Sequence, residues 1–125
     1  MLRYALVAAG AALGGMARYG FSRAVEAAAG GPLPLGTLAV NVVGCFAAGA
    51  FTAWFEPRLA AAPELRLFVV VGLLGGFTTF SAFGLEAHAL LGGGRPALAV
   101  WHAAAHLALG LAAVAAGRWV VLAGG

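Results

Sequence analysis

In "GGFTTFSAF", residues 75–83, Phe80 and Phe83 stand three apart and share one face of any helix formed there, with Ser81 offset from them. An aromatic ring is negative on its face and positive at its edge. Ring edges can therefore solvate an anion without the fixed counter-charge that would hold it too tightly for release. Asn41, in "GTLAVNVVGCF", is the only amide side chain in any apolar segment. In hydrocarbon it must be bonded, either as glue between helices or as a donor lining a pore. His102 and His106 are four apart on one helix face, which is metal-ligand spacing. Two ligands are too few for a closed zinc site, and a polar face along a water-filled track suits them better. Arg18, Glu86 and His88 fall at the ends of apolar segments, where interfacial anchoring is the default role. Arg18 could also raise the anion concentration at a vestibule mouth.

These side chains need elements to carry them, and the composition says which kind. The chain has 125 residues, 63% apolar and 9% charged, with a mean hydropathy of +1.00, far outside the soluble range. It reads as a single integral membrane domain, 1–125. Seven arginines against four glutamates give a basic balance, but the arginines are too scattered for a nucleic-acid footprint. The lone Cys45 sits in an apolar stretch and reads as a small buried hydrophobe. The N-terminal "MLRYALVAAGAALGG" has the basic start of a signal peptide, yet its apolar character continues past Arg18, so it reads as a first span.

Charge-free intervals 27–55, 67–85 and 96–117 each hold the roughly 20 residues that a bilayer crossing needs. The interval 4–17 is short and requires Arg18 to snorkel or pair. The expected fold is all-α, with transmembrane helices at about 4–24, 35–55, 66–90 and 97–121, joined by short breaker-rich loops. In the third, Gly75 and Gly76 fall near mid-bilayer and are followed by the weak helix formers Phe77, Thr78 and Thr79. Either the threonines bond back to carbonyls one turn earlier, or the helix is broken there. A break is allowed only where the freed backbone faces protein, an ion or water, and the clustering of weak helix formers favours a third helix broken at mid-membrane.

Arg3, Arg58, Arg66 and Arg118 lie on one side, and Arg18, Arg23 and Arg95 on the other. So weak a bias allows insertion in both orientations and an antiparallel pair. Small residues at four-residue spacing, Gly10 with Gly14, Gly44 with Ala48 and Gly72 with Gly76, let helices approach closely. Four short spans enclose little interior, so an oligomer is expected.

The segments "GGMARYG", "GTLAVNVVG" and "GLLGGFTTFSAF", in this order and at this length, resemble the CrcB/Fluc family of fluoride channels. The resemblance implies a dual-topology antiparallel homodimer in the cytoplasmic membrane, with two fluoride pores along the subunit interface. It further implies passive fluoride export that relieves intracellular toxicity. Carried onto this chain, the carbonyls of Gly75 and Thr78 would hold one structural sodium ion at the dimer centre. Phe80 and Phe83 match the pore phenylalanines, Asn41 the pore asparagine, and Ser81 the hydroxyl track. The chain departs from the family at Ala82, where threonine is common, and at His106, which takes a place often held by a hydroxyl. Whether that imidazole replaces the hydroxyl or blocks the path is left open by the sequence, and His102 is placed less securely still.

Two other functions fit four apolar helices. A proton-coupled cation or multidrug exporter needs a membrane-embedded carboxylate, whereas Glu26, Glu56, Glu64 and Glu86 read as loop or span-end residues. A non-transporting scaffold would tolerate loss of Asn41 and Phe80. No nucleophile, base and orienting group assemble an enzyme site.

Overall fold

The computed structural model describes residues 1–31, 33–55 and 62–124; Glu56 and Arg58 lie outside them. The described residues are almost entirely helical, with no strand. α1 (Leu2–Ala29) contains no proline and ends at Gly30. The φ of 61° there suits a residue without a Cβ, and its N–H reaches the Glu26 carbonyl at 3.2 Å. α2 covers Leu35–Phe55. The third rod opens as α3 (Pro63–Arg66), with proline in the first turn, where its missing N–H removes no bond. It continues as a π-helical stretch, Leu67–Leu74, and a short α4, Gly75–Phe77. After two extended residues the rod resumes as α5 (Phe80–Gly92), and α6 (Pro96–Ala123) again begins on proline.

Three rods, Leu35–Phe55, Pro63–Gly92 and Pro96–Ala123, are long and apolar enough to cross a membrane. α1 is as long as α6 at 28 residues but carries Arg3, Arg18, Arg23 and Glu26, so composition alone does not set it among them.

Glycine fixes how these rods meet. α1 packs along the π-helical stretch and α4, and α2 packs along α6. A Cβ on Gly76 would stand 2.6 Å from the Ala11 carbonyl oxygen, and one on Gly72 would stand 2.9 Å from the Gly10 Cα. Backbone therefore lies directly on backbone, the approach that small residues permit where no water is available to drive association. Gly49 and Gly117 make the equivalent contacts across α2 and α6, against Val114 and Phe46.

The interruption in the third rod falls at Thr78 and Thr79, not at the glycine pair. Thr78 has φ −79° and ψ 156°, and Thr79 φ −150° and ψ 123°, both extended. Gly75 and Gly76 remain helical, and Gly76 serves the contact with α1 instead. Most large apolar side chains stay exposed, as suits a lipid-facing surface, while Val40 and His102 are the largest fully buried side chains described.

Candidate functional site

The break is shaped by a side chain from another helix. Asn41 on α2 donates from Nδ2 to the Thr79 carbonyl at 2.9 Å and accepts from the Thr79 N–H at its Oδ1 at 2.8 Å. Its amide thus pairs with Thr79 as a neighbouring strand would. Thr78 closes the end of α4 twice on one acceptor, with its N–H and its Oγ1 each 2.9 Å from the Leu74 carbonyl. Thr79 then caps α5, its Oγ1 accepting from the Ala82 N–H at 3.2 Å and lying 3.2 Å from Ser81 Oγ.

These bonds release two carbonyls. The Thr79 N–H would bond the Gly75 carbonyl in an unbroken helix, and the Ala82 N–H would bond that of Thr78. Both amides are turned elsewhere. The carbonyls of Gly75, exposed, and Thr78, half-buried in the single subunit, thus lose the helical donors they would otherwise have.

A groove of about 450 Å³ runs past this point. Its lining includes Asn41, Gly75, Thr78, Phe80, Phe83 and His106. Phe80 and Phe83 lie 5.3 Å apart between ring centroids, and Phe83 is 4.7 Å from His106. Ser81 is exposed beside the groove and not in its lining. Arg18 lies apart from these residues. It borders a second cavity of about 330 Å³ together with Glu26, Thr37 and Ala82, and Thr79 borders both cavities.

His102 is fully buried, stacked on Phe83 at 5.4 Å, with its Nε2 3.2 Å from Glu86 Oε2. The other Glu86 oxygen accepts from Thr37 Oγ1. Glu86, near the end of the third rod, therefore links α2 and α6 from within α5. Sequence reasoning missed this link and the capping role of Thr79. Thr37, which bonds Glu86, is 49 residues from it, and Asn41, which fixes Thr79 as the cap, is 38 residues away. The one available signal was a carboxylate and a histidine set in otherwise apolar helices.

A polar clamp, displaced helical donors and a pair of phenylalanine rings thus meet at one break, and comparison with known proteins gives the chain its family. A family model described as "CrcB-like protein, Camphor Resistance (CrcB)" matches residues 5–118. The chain belongs to the CrcB family. A curated relative in Rhizobium leguminosarum bv. trifolii, named fluoride-specific ion channel FluC, is 44% identical over 121 residues, covering 97% of each chain. The FluC proteins of Agrobacterium fabrum and a Methylobacterium species are 45% and 46% identical, covering 94% and 92% of both chains respectively. Membership in this family and several apolar helices make the chain a multi-pass membrane protein.

Proposed function

We propose that this chain forms a fluoride-selective channel that lets the anion leave the cell passively across the cytoplasmic membrane. The observation that carries the reading is the groove in which Asn41, Phe80 and Phe83 converge at the break, in a chain whose relatives are named fluoride-specific ion channels. Fluoride is small and tightly hydrated, so a pore must replace its water with donors that do not trap it. An asparagine amide has two N–H donors. One is spent on Thr79, which leaves the second for an anion. The edges of Phe80 and Phe83 and the Ser81 hydroxyl extend the path. Arg18 draws anions toward the second cavity.

α1 completes a fourth crossing in this reading, with Arg18 facing the cavity rather than lipid. The working unit is an antiparallel dual-topology homodimer. Phe80 is 82% exposed in the single subunit, and little of the third rod is buried within it, so a second copy has both a face to cover and a groove to close. The freed carbonyls of Gly75 and Thr78, doubled by a two-fold axis, suit a hard monovalent cation, and sodium is the ion proposed for them. It would supply fixed positive charge and join the two breaks.

A coupled exporter draws no support from the relatives, and a scaffold has no use for the clamp. The test is efflux from liposomes with the membrane potential clamped. Fluoride should leave and chloride should stay, and Phe80→Ile or Phe83→Ile should slow the fluoride while the dimer persists. Equal loss of chloride would defeat the selective pore.

A further inference from the structure

His106 is oriented by its own helix. Its Nδ1 lies 2.9 Å from the carbonyl oxygen of His102 one turn earlier. A carbonyl can only accept, so Nδ1 carries a hydrogen, and in the neutral ring the opposite nitrogen is a bare lone pair. That nitrogen, Nε2, is buried and has no partner among the described residues. The residue lines the groove beside Asn41 and Phe83. A lone pair beside an anion's path repels the anion. The same nitrogen with a second proton becomes a charged N–H donor, the stronger class of hydrogen bond.

Building on the channel reading above, we propose that His106 is a proton-loaded anion-binding group: fluoride is held in the groove when Nε2 carries a proton and is turned away when it does not. On this proposal the donor and the obstacle are one side chain in two protonation states.

Three other titratable side chains, His102, Glu86 and Cys45, stand around it. From its own helix, His102 meets it edge-on at 4.4 Å between centroids. From α5 it meets the uncharged Phe83 ring, with Glu86 standing behind His102 at 3.2 Å. From α2 the titratable side chain in the groove lining is Cys45, and neither the π-helical stretch nor the break adds one to it. α1 contributes nothing to that lining. Acid surroundings, which load a cell with neutral hydrogen fluoride, are then the condition that arms the pore.

The test is fluoride efflux from liposomes with equal pH on both sides and a clamped potential, after subtracting protein-free liposomes. The range is about pH 5.5 to 8, over which histidines exchange protons. Wild-type flux should fall severalfold from the acid to the alkaline end of that range. His106→Ser should flatten the profile whatever its absolute flux, and His88→Ala, an exposed residue outside the groove, should keep the wild-type slope. A flat wild-type profile, or an unchanged slope in His106→Ser, would overturn the proposal. Equilibrium dialysis of fluoride against the purified wild-type protein needs no variant: more anion should bind at the acid end, and equal binding would count against the switch. Absence of fluoride flux at every pH would instead defeat the channel reading itself.

Discussion

Asn41 is the residue on which the local geometry turns, because it gives the Thr79 N–H the acceptor that a continuous helix would have supplied and also bonds the Thr79 carbonyl. Asn41→Ala should leave the Thr79 N–H unpaired in a half-buried place, at a cost of about 1–3 kcal/mol. The expected result is a lower unfolding temperature in detergent together with lost fluoride flux. A melting curve that overlays the wild type would show that something else holds the break. The importance of this residue was legible in the sequence, since a single amide among apolar residues must find a partner. So was the pairing of Phe80 and Phe83, a matter of spacing on one helix face. Thr79 and Glu86 were not legible. One looked like an ordinary weak helix former and the other like a span terminus, and their long-range partners come only from the meeting of α2, α5 and α6.

At the scale of elements, glycine separates into positions that carry an interface and positions that do not. A Cβ on Gly76 would enter the α1 backbone, whereas one on Gly84 would meet nothing within 4 Å. Gly76→Ala should therefore destabilise the protein by about 1–3 kcal/mol, as overpacking does. Gly84→Ala should be neutral or gain up to about 1 kcal/mol from helix propensity. Paired thermal melts read both; a tolerant Gly76 would mean that α1 can move off the third rod. Four-residue spacing had exposed these contacts in advance, because close helix approach leaves a periodic trace. The π-helical stretch Leu67–Leu74 left none: "LFVVVGLL" reads equally well as an α-helix. The site of the interruption was shifted for a related reason. Low intrinsic propensity marks the glycines, but their packing on α1 keeps them helical, and the clamp from α2 decides where the rod gives way.

For the whole molecule, the proposed pairing makes sodium a joint between copies. Replacing it with a bulky organic cation should shift the purified protein from dimers toward single copies, read by light scattering across a dilution series, since a bound ion stabilises only the state that binds it. A dimer indifferent to the exchange would remove the ion from the joint. The Asn41–Thr79 clamp has a bearing on biogenesis as well. Both of its partners belong to one chain, so in the proposed dimer each polypeptide would bring its half of the centre already shaped. Maturation would then be a lateral search through lipid for an oppositely facing twin, limited by how many molecules point each way and not by any late refolding.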